Sequence, residues 1–197
     1  MIRKVTSAFA VVAAVALTGT GPVQAADIIL GVAGAQSGDL ASYGLPSVNA
    51  AKLVAKKLND KGGVLGMKIK VVPEDDQCKP ELATNVAFKL VSEKVTVVLG
   101  HICSGATKAA LPIYNESHIV VMSPSATNPP LTLSGDYPNF FRTIARDDVQ
   151  GKLGATYTMD KLGAKKIAVI HDKVVFRHGL KDGSNAIDAF LILAVQD

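Results

Sequence analysis

Residues 95–107 read Val-Thr-Val-Val-Leu-Gly-His-Ile-Cys-Ser-Gly-Ala-Thr. Val95 to Gly100 is a run of strand length, rich in valine and closed by a glycine. Ser104 opens a helical pattern directly behind it, a short helix expected to be interrupted near Pro112. A strand that is apolar along its whole length is buried on both faces, the condition of a parallel strand covered by helices.

The same unit repeats to either side. Upstream, Ala26 to Ala35 is an apolar strand. Ser47 to Lys61 follows as a helix with Val48, Ala51, Val54, Ala55 and Leu58 on one face. Gly62-Gly63 stops that helix, and Met67 to Val72 alternates as a further strand. Pro80 occupies the first turn of the next helix, whose buried stripe is Leu82, Val86, Ala87, Leu90 and Val91. Downstream, Ile119 to Met122 is a strand and Asn128 to Pro138 a proline-rich loop. Val149 to Leu162 then reads as a helix and Lys166 to Ile170 as a strand. Strand and helix alternate with a repeat of about 25 residues, the pattern of an α/β protein built on a doubly wound parallel sheet. Ligands of such sheets bind beyond the carboxyl ends of the strands. The loops of interest are therefore Gln36 to Pro46, Glu74 to Pro80, His101 to Ala106 and Ser123 to Pro130.

Composition narrows the function. The 197 residues are 48% apolar, enough for a packed core. Arg3 and Lys4 are the only charged side chains among the first 25 residues, so residues 26–197 carry a net charge of +2 against +4 for the whole chain. With six Phe, four Tyr, no Trp and no basic patch, nucleic-acid binding is excluded. The amino terminus has the form of an export signal. Arg3 and Lys4 precede the apolar run Ala8 to Leu17, and Val23-Gln24-Ala25 leads to an expected cut ahead of Ala26. Ten apolar residues fall well short of the roughly 20 that a membrane-spanning helix needs, and the apolar stretch Ala186 to Val195 is no longer. The mature chain is thus expected to be soluble and outside the cytosol.

In that oxidising setting Cys78 and Cys103 read as a disulfide, closing a loop of about 26 residues worth roughly 3 kcal/mol. A zinc site using His101 is the alternative, although a fourth ligand and a Cys-x-x-Cys pair are lacking. Catalytic motifs are missing. Gly31, Gly34 and Gly38 have the wrong spacing for a dinucleotide loop, and Ser104 lacks the glycine that a nucleophile elbow carries two residues earlier. His101, His118, His171 and His178 show no metal-ligand spacing, and no cofactor is expected. Asp75-Asp76 and Asp147-Asp148 read as solvated loop or helix-start acids.

Binding suits the residues better. Cys103-Ser104-Gly105-Ala106-Thr107 and Ser123-Pro124-Ser125-Ala126-Thr127 each bring small hydroxyl residues from a strand end to an expected helix start. Amide N–H groups there favour a carboxylate, and the hydroxyls of Ser104 and Thr127 donate to an anion or accept from an ammonium. Plain N-capping is the alternative reading of each segment. Two of them beside Ser42-Tyr43-Gly44 point to a shared site for a small zwitterion.

These residues also carry a family resemblance. Gly34-Ala-Gln-Ser-Gly-Asp-Leu-Ala-Ser-Tyr-Gly44, Leu58-Asn-Asp-Lys-Gly-Gly63, Asp75-Asp-Gln-Cys-Lys-Pro80, Gly100-His-Ile-Cys-Ser-Gly105, Ser123-Pro-Ser-Ala-Thr127 and Ile170-His-Asp-Lys173 occur in order. The sequence resembles the type I periplasmic solute-binding proteins that serve branched-chain amino-acid ABC transporters. The resemblance implies two α/β lobes that close over the ligand about a hinge and a monomer that hands leucine, isoleucine or valine to an inner-membrane permease. It implies no metal and no catalysis. Ser104 and Thr127 would meet the ligand carboxylate, and the Ser125 carbonyl with the Thr127 hydroxyl its ammonium. Tyr43 would cover the cleft, with Cys103 and Ala126 alongside and Phe176 facing from the second lobe. The disulfide of the family matches Cys78 and Cys103.

By this resemblance, residues 1–25 are the signal peptide, 26–145 the first lobe, and 146–197 the start of the second. From Val174 onward the family pattern is lost, Arg177 standing where the family has glycine, as a truncated or frameshifted gene would read. Weak ligand binding is the corresponding expectation. Two other readings stay open, a binding protein for amides, urea or aromatic acids and, from a different class, a secreted α/β hydrolase.

Overall fold

Strand β1 (Ile28–Gly34) pairs in parallel with β2 (Ile69–Asp75) on one side and β3 (Val97–Leu99) on the other. In the computed structural model, which describes residues 26–164, 166–170 and 191–195, the sheet continues through β4 (Val120–Ser123) to β5 (Phe140–Arg142). All four pairings are parallel, and the order is β2-β1-β3-β4-β5.

The two faces follow from the alternation of side chains along each strand. On one face Val32, with the half-buried Leu30, Val71 and Leu99, packs against Val48 and Ala51 of α1 (Ala41–Asp60). On the other, Ala33, Val98, Val121 and Phe140 meet α2 (Pro80–Ser92) and α3 (Ser104–Glu116) through Ala83, Ala87, Leu90, Ala110, Leu111 and Tyr114. Helices thus cover both faces, as the apolar strands required.

Several boundaries differ from the sequence reading. Helix α1 starts six residues ahead of Ser47 and runs through Pro46. Its buried stripe, Gly44, Val48, Ala51 and Ala55, seats the helix on the sheet on both sides of the proline, which outweighs one lost backbone hydrogen bond. Gly44 allows the seating, because a Cβ there would overlap the carbonyl oxygen of Ala35. Val54 is 53% exposed rather than buried, since it lies about 90° around the helix from the centre of that stripe. Helix α3 likewise passes Pro112 without a break, with Ala106 and Ala110 buried before it and Tyr114 after it. Pro73 sits in β2, an edge strand, where a missing N–H is tolerated.

The proline-rich loop holds one turn of helix, α4 (Pro130–Leu133), and leads to β5, which three residues made too short for any periodicity to reveal. Helix α5 (Asp147–Asp160) begins two residues before Val149, so Asp147 and Asp148 occupy its first turn and oppose its positive end. Strand β6 (Lys166–Ile170) forms where expected and pairs antiparallel with β7 (Leu191–Val195), which lies within the second apolar stretch. No helix among the described residues is long and apolar enough to cross a membrane.

Candidate ligand-binding site

The helix after β1 and the helix after β3 lie on opposite faces of the sheet, so a crevice opens between the carboxyl ends of these neighbouring strands. Three loops border it: Ala35 to Leu40, Gly100 to Cys103, and Pro124 to Pro129.

Asp75, the last residue of β2, closes the first loop. Its Oδ1 accepts the Gln36 N–H at 2.8 Å and the Gln77 N–H at 3.0 Å, and its Oδ2 accepts the Ser37 hydroxyl at 2.5 Å. Partial burial acts to raise the Asp75 pKa, but the Ser37 hydroxyl and these amides outweigh it and hold the carboxyl below its ordinary value. Tyr43 stands in the first turn of α1 with 70% of its surface exposed.

The second loop turns at Gly100, whose φ of +135° suits glycine and whose Cβ would overlap the Ala33 carbonyl oxygen. The Gly100–His101 peptide is cis. Cys103 is the N-cap of α3 and makes no side-chain capping bond. Ser104 is the first helical residue rather than the cap, which removes the capping explanation for it. Its Oγ accepts the Asn128 N–H at 3.2 Å, so its own O–H remains available as a donor. The Cys78–Cys103 disulfide, with Cα atoms 5.4 Å apart, ties this helix start to the loop after β2.

The third loop is not a helix start, contrary to the sequence expectation. Pro124 and Pro129 shape an irregular segment, and Ser123 folds it back. The Ser123 Oγ donates to the His101 carbonyl at 2.6 Å and accepts the N–H groups of Ser125 and Ala126 at 3.3 and 2.9 Å. The Ser125 hydroxyl donates to the Ile102 carbonyl at 2.6 Å. Ala126 is fully buried between them. The Thr127 Oγ1 is buried and has no hydrogen-bond partner among the described residues. Since Asn128 follows Thr127 directly, the Ser104–Asn128 bond sets Ser104 beside Thr127 on one side of the sheet. Phe176 lies outside the described residues.

Three contributors were not legible in the sequence. Asp76, read as a solvated acid, is wholly buried, with Oδ2 2.5 Å from the Nδ1 of the equally buried His101. The Nε2 of His101 lies 3.1 Å from the Tyr114 hydroxyl. Burial, and next the nearby Asp76 charge, push the Tyr114 pKa far up, so the phenol keeps its proton and can donate it to Nε2. Arg142 is the third. Its Nη1 donates to the Ala126 and Asn128 carbonyls at 2.9 and 3.0 Å, bracketing Thr127, and its Nη2 donates to the Thr132 Oγ1 at 2.6 Å. Burial, followed by the charge of Arg146, lowers the Arg142 pKa. A usable signal was the spacing Asp76-x-Cys78 and His101-x-Cys103, which joins both pairs once the cysteines are joined.

The site thus offers a helix start with no side-chain cap, hydroxyls on two segments joined by the Ser104–Asn128 bond, and an exposed tyrosine near the rim. It is suited to hold a small polar molecule by its charged end.

Comparison with known proteins extends this. A family model described as periplasmic binding protein matches residues 27–187. Over 162 residues the chain is 42% identical to an amino acid binding protein of Pseudomonas aeruginosa, covering 82% of this chain and 43% of that protein. It is 40% identical over 166 residues to the leucine-specific-binding protein of Salmonella typhimurium, covering 84% and 45%. Among solved structures, the branched-chain amino acid transporter substrate binding protein LivJ of Streptococcus pneumoniae, in complex with isoleucine, superimposes with a TM-score of 0.66 at 36% identity. That match covers 71% of this chain and 40% of the other. The chain spans less than half the length of each of these relatives.

Proposed function

The chain belongs to the periplasmic binding protein family, and on that footing we propose that it captures a branched-chain amino acid outside the cytoplasm for delivery to the membrane permease of an ABC transporter. The observation that carries this reading is the Ser104–Asn128 bond, which joins the start of α3 to the loop holding Thr127. In this reading the ligand carboxylate takes the Ser104 hydroxyl and the first-turn amides of α3, beside the positive end of the helix. The Thr127 hydroxyl and Ser125 carbonyl receive the ammonium, Cys103 and Ala126 complete the wall, and Tyr43 folds over the ligand. Phe176 would add an aromatic face from beyond residue 145, where the second lobe begins. A branched aliphatic side chain buried against apolar groups gains about 0.8 kcal/mol per methylene, which is how the site would prefer leucine to alanine.

Export follows from the same reading, with the signal peptide cut near Ala25 and the mature chain acting as a monomer in the periplasm. Amide-resolved NMR titration of the full mature chain tests the proposal, because it registers weak and tight binding alike. L-Leucine should shift the amides of Ser104, Ala126 and Thr127, and Ser104→Ala should abolish the shift. Failure of leucine, isoleucine and valine to move these signals, or a stronger response to benzoate or a short amide, would overturn the assignment.

A further inference from the structure

Asp76 and His101 each stand two residues before a cysteine of the disulfide, so the same two loops are joined twice. One rung is covalent. The other is the Asp76–His101 contact, in which neither side chain has any exposed surface. Burying such a pair is costly unless each group has further partners. Here they do: Asp76 Oδ1 also accepts the Cys78 N–H at 2.7 Å, and His101 Nε2 faces the Tyr114 hydroxyl. Nothing in the ligand-binding role described above uses this cluster.

The backbone of His101 is the larger clue. Its carbonyl accepts the Ser123 hydroxyl at 2.6 Å, and the Thr107 hydroxyl 3.1 Å away is shared with the Cys103 carbonyl at 2.9 Å. The neighbouring Ile102 carbonyl accepts the Ser125 hydroxyl. The loop after β4 therefore hangs from the carbonyl groups of the loop after β3, and the first of those carbonyls belongs to the residue whose ring is held at both nitrogens.

We propose that His101, pinned by Asp76 on one ring nitrogen and Tyr114 on the other, is the positioning residue that keeps the Ser104 and Thr127 segments in mutual register. The relation to ligand rests on the reading given under Proposed function; the mechanical claim does not.

The test separates the two. Amide hydrogen exchange is measured on the oxidised, ligand-free chain for wild type, His101→Asn, His101→Leu, Tyr114→Phe and the core variant Leu90→Ala. Asn retains a hydrogen-bonding group near the Nδ1 position, whereas Leu retains none. Exchange at Ile102, Ser104, Ala126 and Thr127 should quicken at least about tenfold in His101→Leu relative to Leu90→Ala, with α1 responding equally in both. His101→Asn, which keeps a partner for Asp76 and loses the one for Tyr114, should fall between wild type and His101→Leu at these amides. Equal loosening of all regions in His101→Leu and Leu90→Ala, or an Asn variant as loose as the Leu variant, would overturn the proposal. Should His101→Leu not fold, Tyr114→Phe decides: quickened exchange confined to the same amides supports the role, and unchanged exchange overturns it. A leucine titration run in parallel bears only on the ligand. If wild type shows no leucine shift yet the exchange pattern holds, the ligand assignment fails and the positioning role stands.

Discussion

The Ser104 hydroxyl accepts the backbone N–H of Asn128 at 3.2 Å, so the first residue of α3 is stitched to the loop that follows the neighbouring strand. Ser104 is only 4% exposed. The part-buried Asn128 N–H loses this acceptor when the hydroxyl is removed. Ser104→Ala is therefore expected to lower unfolding stability by about 1–2 kcal/mol, read from urea denaturation. A change within error would mean that the bond is not formed in solution.

Arg142 spans the carbonyls of Ala126 and Asn128 and the Thr132 hydroxyl with two nitrogens of one planar group. A lysine ammonium on a flexible stem cannot match that fork. Arg142→Lys should lose about 2 kcal/mol and quicken exchange at Ala126 and Thr127. Retention of wild-type stability would show that the three acceptors find other donors.

Gly44 lies where α1 touches the backbone of Ala35, and the clash of an added Cβ is with a carbonyl oxygen rather than a movable side chain. Gly44→Ala should cost about 3 kcal/mol by tilting α1 off the sheet, visible as a lower melting temperature. Wild-type melting would show that the helix can shift without loss.

The disulfide closes a long loop, so reducing it, or replacing Cys78 and Cys103 by serine together, should lower stability by about 3 kcal/mol. Comparing melting curves with and without reductant measures it. The double-serine variant should be indifferent to reductant, and a remaining sensitivity would exclude the disulfide as its source.

Acid should weaken the fold in a defined window. The Asp75 carboxyl has a folded pKa below its ordinary value near 3.8. The Asp148 carboxyl does so too, chiefly through its paired hydrogen bonds from Arg146. A group depressed in this way contributes stability in full above its unfolded pKa and loses it as pH falls through the folded one. Melting temperature should thus decline below about pH 4, and Asp75→Asn should flatten that decline while lowering the value at pH 7. A decline as steep in the variant as in wild type would remove Asp75 as a contributor.

The sequence made the layered α/β plan legible because apolar content and period are local properties. A strand such as Val95 to Gly100 must be covered on both faces wherever it lies, and a helix such as α2 declares its stripe by spacing alone. The same locality misled at Pro46 and Pro112, where packing on both sides of the ring outweighed the lost hydrogen bond. It also missed β5, which exists only because β4 offers it an edge.

The site divides in the same way. Ser104, Ser125 and Thr127 could be named from their position after apolar strands. That Ser104 is not a cap, that Thr127 follows a loop rather than opening a helix, and that His101 and Asp76 meet out of contact with water are facts about segments 20 to 30 residues apart. By itself the sequence determined which segments are strands and helices and which loops lie at the strand ends, since burial and period act along the chain. Tertiary structure decided which polar groups meet, because a hydrogen bond between distant segments depends on backbone directions that no single segment encodes.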